Sequence, residues 1–137
     1  MTKTLIAALA TLTALSAPAL AAGDAAKGEA EFKKCKACHS IIAADGTEIV
    51  KGGKTGPNLW GVTTRAPGSL AEYAYGDSIK AVGANGVLWD EAMLAAYLPD
   101  PAAWLKEQTG DAAAKSKMAF KLSKGAEDMA AYLATLK

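Results

Sequence analysis

Both cysteines and the only histidine of this chain fall inside five consecutive positions, Cys35-Lys36-Ala37-Cys38-His39. That crowding constrains the fold more than any other feature, because whatever these side chains bind must be built around one short segment. A structural zinc site needs about four Cys or His ligands, and the chain offers three in total. A redox-active dithiol of this spacing belongs beside a βαβ pattern, and no such pattern is present. A plain disulfide suits an exported protein but leaves the adjacent His39 without a role. Cys-x-x-Cys-His is the attachment motif of c-type haem. Two thiols at this spacing each form a thioether to a haem vinyl group, and the neighbouring imidazole becomes the proximal iron ligand. One covalent haem c is therefore expected, bound through Cys35 and Cys38, with His39 on the iron.

The N-terminus reads as an export leader. Lys3 supplies a positive start, Leu5 to Leu15 is a short apolar stretch, and Pro18 precedes the small-residue run Ala19-Leu20-Ala21-Ala22. That order marks a cleaved secretory signal over residues 1–22. An uncleaved membrane anchor is the alternative, but a spanning helix needs about 20 strongly apolar residues, and this stretch is mostly Ala interrupted by Thr, Ser and Pro. Removing 22 of the 137 residues leaves 115, a single domain over 23–137. Of the 15 Lys and Arg only Lys3 lies in the leader, and all 14 acids lie beyond it, so the mature chain is formally neutral. No basic excess and no recognition motif point to nucleic acid.

Helical signals dominate the rest. Asp24 is placed to cap a helix running to Cys35, with Gly28 and Phe32 on one face. Ser40 to Gly61 is loop-like, with turn signals at Asp45-Gly46, Gly52-Gly53 and Gly56-Pro57. Ser78 to Val82 suits one or two helical turns. Asp90 caps Glu91 to Leu98, whose Met93, Leu94, Tyr97 and Leu98 form an apolar stripe. Pro101 restarts a helix to Glu107. Gly110 to Leu122 is polar, basic and aperiodic, and Ser123 is placed to cap a last helix to Leu136. No segment alternates as a strand. The class is all-α with long loops.

A six-coordinate haem needs a second axial ligand, and with no further histidine the candidates are methionines. Met93 and Met129 sit on apolar helix faces, where core packing is their ordinary role. Met118 lies in the irregular stretch before the last helix, where backbone can wrap a cofactor. It is the candidate sixth ligand, with a buried non-ligating Met118 as the alternative.

Taken together, Gly28-x-x-x-Phe32-x-x-Cys35-x-x-Cys38-His39, Lys54-Thr55-Gly56-Pro57-Asn58-Leu59, Tyr73-Ala74-Tyr75, Trp89, Tyr97, Lys117-Met118-Ala119-Phe120 and Asp128-x-x-x-Tyr132-Leu133 resemble a class I c-type cytochrome of the bacterial c2/c550 kind, over essentially all of residues 23–137. The resemblance implies the cytochrome c fold, with N- and C-terminal helices crossing through Gly28, Phe32 and Tyr132 and long loops wrapping one haem. It implies that Pro57 offers its carbonyl to the His39 ring, that Arg65, Tyr75 and Trp89 hold the haem propionates, and that Tyr97 lies beside Met118. From the residues alone, Pro57 is equally a rigid turn, Arg65 a solvated charge, and Tyr75 and Trp89 half-buried aromatics. Thr64 stands where many relatives have glycine, Trp60 where many have a smaller ring, and the loop Ile41 to Gly53 is longer than in the shortest members.

The expected function follows. With His39 and Met118 filling both axial positions, the iron binds no substrate, and the chain is a periplasmic, monomeric carrier of single electrons rather than an enzyme. Lysines at 33, 34, 36, 51, 54, 115, 117, 121 and 124 flank the haem motif and Met118, while acids at 72, 77, 90, 91, 100 and 107 fill the intervening stretch. A lysine-rich haem edge steers acidic partners. These are expected to be membrane redox complexes: a cytochrome bc1-type donor, and a terminal oxidase or photosynthetic reaction centre as acceptor. The competing readings are a haem enzyme or gas-sensing module with an open sixth position, and a membrane-tethered carrier.

Overall fold

Short helices with strong caps, separated by loops, set the architecture. The computed structural model describes residues 23–137; the expected leader, 1–22, lies outside them. In chain order the elements are helix α1 (Ala25–Glu31), strands β1 (Ile41–Ile42) and β2 (Glu48–Val50), and helices α2 (Asp77–Gly83), α3 (Glu91–Tyr97), α4 (Pro101–Thr109) and α5 (Ala126–Ala134). Aspartates start three of the helices. Asp24 accepts from the amides of Ala26 and Lys27, Asp90 from Met93 and Asp100 from Ala103. Each satisfies N–H groups that the helix cannot pair internally. Among the described residues no helix is long and apolar enough to cross a membrane.

Helices this short are marginal alone, so packing must hold them. The central contact is the crossing of α1 over α5. Gly28 lies against the backbone of Asp128, so close that a Cβ at Gly28 would fall onto the Asp128 carbonyl and within 2.7 Å of Tyr132 Cβ. One turn on, Phe32 meets Tyr132 edge-to-face at 5.8 Å between ring centroids. The Asp24 amide donates to the Asp128 carboxylate at 2.7 Å. The buried face of α5 carries Met129, Ala130 and Leu133, and α3 packs on the same helix.

Three details differ from the sequence expectations. First, α1 stops at Glu31 and tightens into a 3-10 turn over Phe32–Lys34, which delivers Cys35 to the loop. Second, α5 starts at Ala126 rather than after Ser123. Gly125, at φ +78°, makes the entry turn in the left-handed region that glycine tolerates. No side chain caps this end, and Glu127 and Asp128 in the first turn complement the helix dipole instead. Third, the long loop contains an antiparallel ribbon, Ile41 opposite Val50 and Ile42 opposite Glu48, with an irregularity between Ile41 and Ile42. The Asn58 side chain grips it, accepting from the Ile42 amide and donating to the Ile42 carbonyl. Strands of two and three residues are too short to show an alternation in sequence.

Gly28→Ala tests the crossing. Helix propensity alone would favour alanine by about 1 kcal/mol, but the methyl meets backbone that cannot move without separating the helices. A net loss on the order of 1–3 kcal/mol is expected from overpacking, read from denaturant midpoints at unchanged slope. A stabilised variant would show that the helices do not cross closely here.

Candidate cofactor site

The loops and helices enclose a cavity of about 450 Å³, within the range of about 300–1,000 Å³ typical of small-molecule and cofactor sites. The Cys35–His39 segment contributes Cys35, Cys38 and His39, and the following loop Gly56 and Pro57. Arg65, Tyr73 and Tyr75 come from the middle of the chain. Trp89, Leu94, Tyr97 and Leu98 come from α3 and its approach, Met118 and Phe120 from the loop before α5, and Met129 and Leu133 from α5 itself. All nine residues singled out from sequence therefore face one space. Among the described residues no carboxylate lines it, and no group of three or more His, Cys, Asp and Glu is placed to hold a metal ion by itself.

His39 is fixed from two sides. Its Nδ1–H donates to the Pro57 carbonyl at 2.8 Å. A carbonyl only accepts, so this bond sets the tautomer and leaves Nε2 with its lone pair free. Burial holds the imidazole pKa below its ordinary value, and the Pro57 carbonyl opposes that shift. The face of the ring lies on Gly56, where a Cβ would come within 2.6 Å of Nδ1 and 2.8 Å of Nε2. The peptide segment is held as tightly: the Gly53 amide donates to the Lys36 carbonyl and the Gly56 amide to the Cys38 carbonyl. Cys35 is buried, and that burial pushes its thiol up to about 11, while Cys38 is exposed.

Met118 sits in a loop with no regular structure, yet the loop is pinned along its length. The Lys115 amide donates to Ser78 Oγ at 3.0 Å, and Lys117 Nζ donates to the Ala74 carbonyl at 2.6 Å. Ser116 Oγ accepts from the Met118 amide and donates to the Met118 carbonyl. Beyond Met118, Lys121 pairs with Asp100 at 2.6 Å and the Leu122 amide donates to the Leu98 carbonyl at 2.9 Å. Met129 reaches the same cavity from the buried face of α5. Met93 is partly buried against the core and does not line it.

Arg65 turns inward and donates to the carbonyls of Trp60 at 2.9 Å and Asn58 at 2.6 Å. Thr64 does not disturb this turn, because its hydroxyl donates back to the Gly61 carbonyl. Burial lowers the Arg65 pKa while the neighbouring Tyr75 opposes the shift, and burial raises that of Tyr75. The Tyr73 hydroxyl donates to the Thr55 carbonyl at 2.8 Å and ties two cavity-lining loops together.

This donor set suits a haem. Two thiols and an imidazole share one wall segment with a mostly apolar space, a thioether is available from the facing loop, and a half-buried arginine with phenol and indole donors matches anionic propionates. Sequence reasoning missed Ser116, Tyr73 and Trp104. Ser116 and Tyr73 lie outside regular elements and Trp104 on α4, and none carries a local mark of its partners.

The Gly56 contact is testable by ¹⁵N NMR of the His39 ring. Gly56→Ala is expected to shift both ring nitrogens, because the methyl displaces the imidazole from Pro57. Pro57→Ala, which keeps the carbonyl, is expected to shift them far less. Equal shifts would show that the proline ring, and not its carbonyl, orients His39.

No protein-family model matches the chain. It is 60% identical over 136 residues to cytochrome c2 of Rhodobacter capsulatus, covering 99% of this chain and 98% of that protein. It is 56% identical over 134 residues to cytochrome c-550 of Paracoccus versutus, covering 94% and 87%. Its structure matches that of the Rhodobacter capsulatus cytochrome c2 with a TM-score of 0.81 at 64% identity, over 82% of this chain and 97% of the other. It matches cytochrome c2 of Paracoccus denitrificans with a TM-score of 0.80 at 52% identity, over 82% and 95%. With that identity across nearly the whole length, and with Cys35, Cys38 and His39 around a cofactor-sized cavity, the chain belongs to the class I c-type cytochromes of the c2/c-550 group and carries one covalent haem c.

Proposed function

We propose that this electron carrier is a soluble periplasmic protein whose iron is held between His39 and Met118, with thioethers at Cys35 and Cys38. The observation that supports this best is the composition of the cavity: Cys35, Cys38, His39 and Met118 as soft or neutral donors, a half-buried arginine, lysines and no carboxylate. Nothing in that set resembles an acid–base pair of an enzyme.

When bound, haem supplies an iron that gains and loses one electron with its ligands unchanged. The protein's residues then set the energetics. The Pro57 carbonyl holds His39 in one tautomer and raises its basicity as a ligand. The Met118 thioether, a soft donor in a largely apolar cavity, favours the reduced state and raises the potential. Arg65, Tyr75 and Trp89 supply cation and donors for the propionates. Tyr97 lines the same cavity as Met118.

The leader over residues 1–22 directs export and is cleaved. Docking uses the lysines around the cavity mouth, all of which are exposed. Their acidic neighbours are not fully segregated, because Asp100 pairs with Lys121 and Glu31 with Lys34. Lys33, Lys36, Lys51, Lys54, Lys115 and Lys124 make no ion pair among the described residues. They steer the protein to acidic faces of a bc1-type donor and of a terminal oxidase or photosynthetic reaction centre. Phe120, 42% exposed and lining the cavity, adds an apolar centre to that face.

Two experiments test this reading. The reduced protein should not respond to carbon monoxide, Met118→Ala should bind it and show a lower potential, and Met93→Leu and Met129→Leu should keep the native spectrum. Retention of the native spectrum by Met118→Ala would remove it as the ligand. For docking, the rate of reduction by a quinol-oxidising membrane complex should fall as salt rises, since exposed charges are screened beyond about 8–10 Å at moderate ionic strength. Lys36→Gln should slow it more than Lys121→Gln, whose charge is already partly neutralised by Asp100. A salt-independent rate would make docking apolar.

A further inference from the structure

Asn58 is the residue at which the ribbon of β1 and β2 meets the wall of the cavity. Its side-chain oxygen accepts from the Ile42 amide at 3.0 Å and from the Trp60 amide at 3.1 Å, and its side-chain nitrogen donates to the Ile42 carbonyl at 2.8 Å. An asparagine oxygen has two lone pairs, and both are in use. The Ile42 amide can only donate and the Ile42 carbonyl can only accept, so the ribbon fixes which way the Asn58 side chain faces. The bond to Trp60, two residues on, is an Asx-turn, whereas the two bonds to Ile42 cross 16 positions of sequence. The Asn58 carbonyl in turn accepts from Arg65 Nη2 at 2.6 Å.

Asn58 directly follows Pro57, whose carbonyl takes the His39 Nδ1–H at 2.8 Å. That carbonyl belongs to the planar peptide group joining the two residues, so it swings off His39 only if the whole plane turns. Both flanks of the plane are tied. On one side the Gly56 amide donates to the Cys38 carbonyl at 2.8 Å. On the other the Leu59 amide donates to the Ser40 carbonyl at 3.1 Å, and the Asn58 side chain holds Ile42. Residues 56–59 thus lie along residues 38–42, with His39 between the ties. The bonds to Ile42 are the ones made by a side chain, and so the ones a substitution can cut. The long loop Ile41 to Gly53 supplies the backbone that Asn58 grips.

We infer that Asn58 is a positioning residue for His39: by clamping the Pro57–Asn58 peptide to the ribbon, it keeps the Pro57 carbonyl on the His39 Nδ1–H. This rests on His39 being an axial ligand. A hydrogen bond at that nitrogen raises the basicity of an iron-bound imidazole. The ribbon, which supplies no ligand, thereby bears on the potential of the bound haem.

The test follows solvent exchange of the His39 Nδ1 proton by ¹H–¹⁵N NMR of the ferrous holoprotein, together with the reduction potential. Exchange requires the proton to leave the carbonyl, so its rate reports how often that bond opens. Asn58→Ala cuts all three side-chain bonds. Asn58→Ser keeps an oxygen for the local turn to Trp60 but cannot span to both groups of Ile42. Exchange should quicken several-fold in Asn58→Ser and further in Asn58→Ala. The potential should rise in the same order, because a less basic imidazole favours ferric iron less. Ile42→Ala trims the ribbon and leaves both backbone groups that Asn58 uses, so exchange there should stay near native. Native exchange in Asn58→Ser would overturn the inference, whether or not Asn58→Ala matures. Equal quickening in Ile42→Ala would overturn it too, since it would mean general loosening of the loop. So would a fall in potential at native exchange, which would place the effect of Asn58 on Arg65 instead. The native protein is the control on the underlying reading: a proton on His39 Nε2 would show that this nitrogen does not bind iron, and would sink the ligand assignment itself.

Discussion

The close crossing of α1 over α5 at Gly28 is the contact on which the site depends. α1 runs through a single 3-10 turn into Cys35–His39, and α5 follows directly on the loop that bears Met118. Whatever fixes the two helices relative to each other therefore fixes the distance between the segments carrying the two candidate axial ligands. Only a residue without a side chain allows the backbones to meet as they do at Gly28 and Asp128. The Phe32–Tyr132 contact and the bond from the Asp24 amide to Asp128 then prevent the pair from sliding. With helices of seven to nine residues, no element could hold that spacing alone.

Around this frame the chain uses backbone carbonyls where a larger protein would use charged side chains. Pro57 orients His39, and Asn58 and Trp60 hold Arg65. Carbonyl acceptors fix orientation without bringing negative charge into the cavity. An unpaired buried carboxylate would be costly and would favour ferric over ferrous iron, lowering the potential. A wall without carboxylates and with one arginine does the reverse.

The Met118 loop is held differently, by many weak ties rather than by a packed helix. Lys117 to Ala74 and Lys121 to Asp100 are exposed contacts, and such pairs contribute roughly 0–1 kcal/mol each. Segments of this kind open locally at low cost. The buried aromatic triangle of Trp89, Tyr97 and Trp104 packs in the core beside the cavity. Exposed Phe120 and Lys115 line the cavity from this same loop.

Much of this protein was legible in the sequence because the signals were local. The Cys35–His39 spacing, the capping aspartates at 24 and 90, the helix-restarting Pro101 and the absence of a second histidine are each read within a few residues, and they specify a covalent haem on an all-α chain. The two-residue strand at Ile41 was invisible, since it depends on the Asn58 side chain rather than on its own pattern. The start of α5 was misread at Ser123 because the cap that forms there is a glycine turn, with no side-chain donor to recognise. Sequence could not separate Pro57 as a rigid turn from Pro57 as a carbonyl acceptor, or place Asp100 beside Lys121, or show that Met129 as well as Met118 reaches the cavity. Tertiary structure decided these, because each joins segments far apart in sequence, and their distance is set by how the helices cross rather than by any residue's own preference.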